Sequence, residues 1–356
     1  MPISFIYIPD SFYHVGNEIY NSLSHHQNIR LRIQFPYDML NKIEAFLDNI
    51  AFPAKPEGLY EPITYSLEMG GKRIRPVLTL MAHNMYKPCD DNALSAAAAI
   101  EMYHNHTLLH DDLMDGAEVR RGKPAVHRRW NANTAILSGD TMLIESFKLI
   151  NACQCQRADE ARQLFIDTTI EVCEGQQYDM NFEQRTDVTE AEYLEMIRLK
   201  TSVLLACAAK MGGIVANAPE ADCNALYAFA EKIGLAFQLQ DDYLDVYGDP
   251  AVFGKKIGGD ILCGKKTFLL INALERASEQ QREELLSLLN NAVILPEEKI
   301  SRVTEIYNAL DIAALTQQRI AEMYDEARKH FDAIAVSEEV KRPLWTFAET
   351  LLGRKS

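Results

Sequence analysis

Apolar residues recur at helical spacing along almost the whole chain from Met39 onward. Met39, Ile43, Phe46, Leu47 and Ile50 form the first stripe, the three-and-four spacing of a helix with one buried face. Phe52-Pro53 through Pro56-Glu57-Gly58 break it. A helix over 60–69 ends at Gly70-Gly71, and Pro76 opens the next, to about residue 86. Residues 92–115 predict a long helix whose small, apolar first half (Ala96 to Ile100) allows close packing at a central position. A loop over 116–129 carries Arg120-Arg121-Gly122, and helices follow over 131–153 and 158–179. Thr189-Glu190-Ala191-Glu192 reads as a capping box opening a helix towards Met211. A second long helix spans 222–247 and stops at Gly248-Asp249-Pro250. Beyond the Gly- and Lys-rich loop from Phe253 to Lys266, further helices open at Ser278-Glu279-Gln280-Gln281 and at Pro296. No stretch keeps period-two alternation, so no sheet is expected. Residues 1–37 are aromatic, Asn- and His-rich and aperiodic, and read as a poorly ordered N-terminal extension. Residues 38–356 predict one all-α domain.

Two of these helices carry the same acidic signature near their ends. Asp111-Asp112-Leu113-Met114-Asp115 and Asp241-Asp242-Tyr243-Leu244-Asp245 both read D-D-x-x-D. Positions i and i+4 lie about 40° apart on a helix, so Asp111 and Asp115 share a face, as do Asp241 and Asp245. Apolar residues precede both motifs, placing each cluster where a buried helix ends. Carboxylates crowded on a partly buried face repel one another and call for a cation. Without His or Cys beside them they suit a hard divalent ion, most naturally magnesium. One such motif in a chain with 51 acidic residues is explained by a solvated face. Two, each with Arg or Lys a short way downstream, are not; the pair reads as a metal site.

Composition narrows the partners. The chain has 356 residues and a formal net charge of −15, which argues against nucleic acid and against anionic lipid. Its basic residues nevertheless cluster, as Lys72-Arg73-Ile74-Arg75, Arg120-Arg121, Lys255-Lys256 and Lys265-Lys266. A locally basic pocket in an acidic protein suggests a small polyanion. The seven cysteines are scattered with no C-x-x-C pair, indicating neither a disulfide framework nor zinc but reduced thiols in a cytoplasmic enzyme. The longest apolar run, Val203 to Ala218, falls short of a membrane span and contains Lys210.

A diphosphate ester unites the two signals. Drawing pyrophosphate off carbon needs its growing charge neutralised, which divalent ions bridging Asp111, Asp115 and Asp241 could do, with Arg and Lys adding charge-assisted hydrogen bonds. Gly70-Gly71-Lys72-Arg73-Ile74-Arg75-Pro76, Glu101-Met102-Tyr103-His104, and Leu108 to Asp115 followed by Arg120-Arg121-Gly122-Lys123-Pro124 together resemble a trans-prenyl diphosphate synthase. Gly139-Asp140, Lys200-Thr201, Phe237 to Asp245 and Phe253 to Thr267 continue the resemblance in the family's order. It covers roughly residues 39–356.

The resemblance implies a helical bundle around a deep central cavity, the isoprenoid synthase fold. It also implies head-to-tail elongation: an allylic diphosphate ionises, isopentenyl diphosphate attacks the cation, and a proton is lost. By matching positions, Asp111 and Asp115 would hold two magnesium ions and Asp241 a third, with Asp112 and Asp245 further out and Asp260 acting through water. Gly71, Lys72, Arg75, His104 and Arg121 match the isopentenyl diphosphate site; Arg120 matches the grip on the allylic diphosphate, helped by Lys200, Lys255 and Lys265. Thr201 and Gln238 would offer oxygen dipoles to the cationic carbon. A homodimer is expected on the same ground.

Product length should depend on what lies one and two turns before the first motif: His106 and Thr107, then Met102 and Tyr103. With Tyr103 as a floor, a product of about fifteen to twenty carbons is favoured over a longer polyprenyl chain. A terpene cyclase also has one D-D-x-x-D, but not ordinarily a second, nor the Gly70-Gly71-Lys72-Arg73 turn. A silent regulatory subunit would lack motif aspartates, and none is missing.

Overall fold

The computed structural model describes residues 26–249, 257–290 and 293–352. Sixteen α-helices are described: α1 (His26–Asp48), α2 (Glu57–Glu68), α3 (Ile74–Asn84), α4 (Asp91–Met114), α5 (Val126–Arg129), α6 (Ala132–Ala152), α7 (Ala158–Glu183), α8 (Glu190–Ile197), α9 (Val203–Val215), α10 (Glu220–Tyr247), α11 (Gly259–Cys263), α12 (Phe268–Arg276), α13 (Glu279–Asn290), α14 (Pro296–Ala309), α15 (Ile312–Asp332) and α16 (Glu338–Leu352). A π-helical turn, Arg198–Ser202, joins α8 to α9.

The centre is α9. Of its residues only Lys210 escapes full burial, so it is apolar all round, as a helix enclosed by others must be. It packs against α3, α4, α7 and α10, and among the described residues no helix is long and apolar enough to cross a membrane. The small half of α4, Ala96 to Ala99, is wholly buried. Asp90 caps that helix by accepting the Ala93 N–H at 3.0 Å. The capping box at Thr189 and Glu192 forms as expected.

Three expectations change. α1 reaches back to His26, so residues 26–37 continue the core helix rather than forming an irregular extension. The apolar stripe read from the sequence starts at Met39, and its members Met39, Ile43 and Leu47 are buried. The loop after α4 holds a small antiparallel ladder, β1 (Val119–Arg120) with β2 (Lys123–Pro124). Arg121 and Gly122 turn it with φ of 52° and 75°, the two positive values of a tight hairpin turn, and two-residue strands are too short to alternate. The helix expected from Thr189 to Met211 is interrupted by the π turn and runs on to Val215. Pro250 and residues 253–256, Lys255 among them, lie outside the described residues.

His83 on α3 is fully buried, and neither ring nitrogen has a hydrogen-bond partner. Burial pushes its pKa down to about 4 from 6.5, against the pull of Asp90, 3.7 Å away. The unfolded chain therefore takes up a proton at this site that the folded chain refuses. Stability should fall as pH drops from about 6.5 to about 4, by at most about 1.4 kcal/mol per pH unit from this one group. His106 is likewise held down to about 4 by burial, so His83→Asn should flatten the loss without abolishing it, measured as urea midpoints at pH 7 and pH 5.

Candidate active site

The two D-D-x-x-D motifs end α4 and α10, and in each the second aspartate turns into the protein. Asp112 is 4% exposed and clasped by Arg120 of β1, whose Nε lies 2.9 and 3.1 Å from its two oxygens, with Nη2 donating as well. Asp242 is equally buried; it accepts the Tyr193 hydroxyl, Gln238 Nε2 at 3.3 Å and the Phe268 N–H at 3.4 Å. Burial, then Asp260, push its carboxyl up to about 7. Asp112, expected at the outer edge of the metal site, and Asp242, given no metal role by sequence, both anchor their helices to neighbouring elements. Asp245 does the same for the loop ahead of α11: its Oδ2 accepts the Asp260 N–H at 3.0 Å and its carbonyl the Gly258 N–H at 2.6 Å.

The remaining carboxylates lack such partners in the first motif. Asp111 Oδ1 is buried and receives no hydrogen bond; Lys200 Nζ stands 3.4 Å from it as an ion pair. Asp115 is raised by desolvation and then by Asp111. Lys200 binds Asp179 of α7 more closely, at 2.6 Å. The ammonium of Lys265, just before α12, feels Asp179, Asp260, Asp242 and Asp111 in turn, and together they hold its pKa up although burial acts against it. Lys200 also pairs with Asp111, and the adjacent Thr201 bonds Gln238, which donates to Asp242, so one short turn links the ends of the two motif helices around a common cleft.

Lys200 and Thr201 reach that cleft because of the π turn. Gly175 of α7 lies so close that a Cβ there would stand 2.2 Å from the Lys200 nitrogen. On the other side a Cβ at Gly234 of α10 would come within 2.8 Å of Ser202. The widened turn, a frequent device at functional sites, is held between those two bare backbones. Thr201 Oγ1 donates to Gln238 Oε1 at 3.4 Å, leaving the hydroxyl lone pairs for another partner.

A second centre, of opposite sign, forms at the start of α3. Arg73 is buried at its N-cap with φ 45° and binds Glu44, Glu101 and the Leu67 carbonyl; it fixes the turn. Arg75 Nη1 lies 3.2 Å from His104 Nε2, while Arg75 Nε is buried without a partner. Arginine only donates, so Nε2 accepts and the His104 proton sits on Nδ1. His104 is held well below its usual range by burial and by Arg75, Arg121, Arg120 and Arg73, and is neutral. Burial lowers Arg75 to about 10. Gly71, at φ 138°, leaves room for the Arg121 guanidinium, which a Cβ would meet at 2.6 Å. Lys72 is exposed on the same loop. Crowded cations with an orphaned donor need an anion.

A polyprenyl synthetase family model matches residues 56–310. The chain belongs to that family. A short chain isoprenyl diphosphate synthase from Methanothermobacter thermautotrophicus is 39% identical over 303 residues, covering 84% of this chain and 91% of that protein. A geranylgeranyl diphosphate synthase from Methanosarcina mazei is 41% identical over 236 residues, 66% and 73% respectively. The crystal structure of a geranylgeranyl pyrophosphate synthetase from Pyrococcus horikoshii superposes with a TM-score of 0.82 at 30% identity, over 93% of this chain and all of that one.

The donor set of this polyprenyl synthetase suits magnesium. Among the described residues no group of three or more His, Cys, Asp or Glu side chains stands ready as a metal cage. Magnesium commonly takes only one or two carboxylates and completes its shell with water and phosphate oxygens, and the orphaned Asp111 oxygen offers one such ligand. Below the first motif, the buried Tyr103 donates to the Thr169 carbonyl at 3.0 Å and meets Phe165 edge-on, with Phe147 behind. His106 leans on α6, its Nδ1 2.9 Å from the Gly139 carbonyl, and Thr107 bonds the His104 carbonyl. Met102, grouped with them by sequence, packs instead with Ile63, Leu67, Leu109 and Met142, about 180° from Asp111 around the helix. Asp179 was not singled out by sequence; its one signal was a Gln176–Asp179 pair at i, i+3.

Arg121→Gln should leave the fold intact and remove the guanidinium that Gly71 makes room for. Loss of one charge-assisted contact at about 1.5–3 kcal/mol should weaken binding of inorganic pyrophosphate about tenfold or more by calorimetry. Unchanged affinity would remove Arg121 from the anion site.

Proposed function

We propose that this polyprenyl synthetase condenses isopentenyl diphosphate with an allylic diphosphate, head to tail, giving a trans-prenyl diphosphate of about fifteen to twenty carbons and pyrophosphate. The observation that carries this reading is the Lys200-Thr201 turn, whose first residue pairs with Asp111 of one motif and whose second bonds Gln238, itself bonded to Asp242 of the other. Asp111, Asp115 and Asp241 would hold magnesium, three ions in all. When bound, magnesium supplies the positive charge that draws off pyrophosphate.

Each remaining role follows from placement. Arg120 is aimed by Asp112, and its Nη1 takes no part in that clasp, so it can hold the allylic diphosphate beside Lys200 and Lys265; Lys255 is proposed for the same task. Arg75, Arg121 and Lys72 bind the second diphosphate, and neutral His104 can donate to it from Nδ1. Thr201, its proton already given to Gln238, turns lone pairs towards the allylic cation. Arginine and lysine stay protonated and His104 neutral, so the departing pyrophosphate takes the proton. Tyr103 and Phe165 set the floor, with His106 and Thr107 above them.

A homodimer fits an exposed apolar face. Leu137 and Ile144 on α6 are 59% and 68% exposed, with Ile166 and Ile170 of α7 also open to solvent. Exposed apolar residues grouped on two neighbouring helices commonly mark an interface.

Incubation with isopentenyl diphosphate, each allylic starter and magnesium should yield longer diphosphates and pyrophosphate, and a chelator should stop turnover. A cyclase would yield hydrocarbon, and a silent subunit nothing. Tyr103→Ala should lengthen the product by one or more five-carbon units on chromatography of the dephosphorylated alcohols; an unchanged product would refute the floor.

A further inference from the structure

The π turn has an outer side as well as the inner one that presents Lys200 and Thr201. Its first residue, Arg198, precedes Lys200 by two positions, and side chains two apart in a helical turn point to nearly opposite sides. The Lys200 ammonium enters the cleft beside Asp111, whereas the Arg198 guanidinium, 27% exposed, meets three glutamates. Glu195 of α8 is held in its fork, Nε and Nη2 each lying 2.8 Å from one carboxylate oxygen. Nη1 donates to Glu231 of α10 at 3.3 Å and stands 3.8 Å from Glu171 of α7.

The contact with Glu195 alone would be an ordinary i, i+3 pair on a helix surface. The other two carboxylates come from different helices, and their positions follow a pattern. Glu171 lies four residues before Gly175, and Glu231 three before Gly234; residues so spaced share a helix face. Gly175 and Gly234 are the glycines against which the turn is pressed. Each flanking helix therefore offers the turn a bare backbone and, one turn away, a carboxylate for Arg198. The carboxylates outnumber the cation between them. Burial raises the Glu171 carboxyl and Arg198 pulls it down, while Glu231, Glu174 and Glu195 push it up again. The Arg198 carbonyl also accepts the Val203 N–H, the i to i+5 bond that widens the turn. One residue closes the turn through its main chain and ties it to three helices through its side chain.

Given the condensation assigned above, on which this step rests, we propose that Arg198 is a positioning residue for it. Arg198 holds the π turn at the depth where Lys200 meets the allylic diphosphate and Thr201 the cationic carbon. It touches neither substrate nor metal. Lysine in its place would keep the charge but lose the planar fork that grips Glu195 and Glu231 together.

The test compares the full-length wild type with Arg198→Met, Arg198→Lys and Glu231→Gln in steady-state condensation with magnesium. The allylic starter is the one the wild type uses best. Arg198→Met should raise the KM for the allylic diphosphate and lower kcat, each about fivefold or more, with the KM for isopentenyl diphosphate within about twofold. Arg198→Lys should recover part of both losses, and Glu231→Gln should show a smaller loss of the same kind. In a Lys200→Ala background, Arg198→Met should no longer alter the allylic KM, because the group it positions is gone. A general loss of stability would instead shrink the active fraction, lowering kcat with both KM values unchanged. That outcome, an equal rise in both KM values, or full additivity with Lys200→Ala would overturn the assignment. Should Arg198→Met not fold, wild-type constants in both Arg198→Lys and Glu231→Gln would overturn it equally. A wild type inactive with every starter would sink the functional reading itself, and the assignment with it.

Discussion

Charge left unbalanced inside protein is the constraint that organises this molecule. A partly enclosed carboxylate or guanidinium that is not fully paired is costly, yet two are kept at opposite signs: Asp111, with Asp115 beside it, at the end of α4, and Arg75, with Arg121 beside it, around His104. Lys200 offsets the first only in part, being shared with Asp179, and Arg75 and Arg121 feel Glu101 at a distance. Buried groups nearby are bonded more closely, Arg73 with Glu101, Arg120 with Asp112, and Asp242 with Tyr193. The compensated pairs hold the backbone so that the uncompensated ones cannot collapse onto each other. On the proposed reading, a diphosphate substrate with its metal ions would answer both surpluses.

That arrangement divides labour within each acidic motif. Residues one apart on a helix point about 100° away from each other. The first aspartate can therefore face the cleft while the second is buried and bonded sideways. Asp112 aims Arg120, and Asp242 joins α10 to Tyr193 on α8 and to the start of α12. A motif that reads as a row of equivalent ligands contains anchors as well. Changing the second aspartate would disturb the site through its neighbours, without touching metal.

Much of this was legible from residue order alone because the signals were periodic or covalently local. The stripe from Met39 to Ile50, the capping box at Thr189 and the paired D-D-x-x-D motifs follow from helical geometry, and each has its helix where expected. What escaped depended on contacts distant in sequence. Asp179 is one acid among 51 until Lys200 and Lys265 are seen beside it. Met102 adjoins Tyr103 in the chain but faces another core, a distinction made by α2 and α6 packing on that side. Burial alone separates Arg73 from Lys72. The ladder at Arg121-Gly122 was too brief to leave a pattern.

The π turn between Gly175 and Gly234 leaves the chain with a length it cannot shorten. An insertion or deletion is ordinarily absorbed by a surface connection, but this one lies between α8 and the most enclosed helix. Removing one residue from 198–202 would restore the tighter winding and leave α9 in register, but it would take Lys200 and Thr201 out of the widened turn that presents them. Natural variation in chain length is therefore expected almost anywhere else before it is tolerated there.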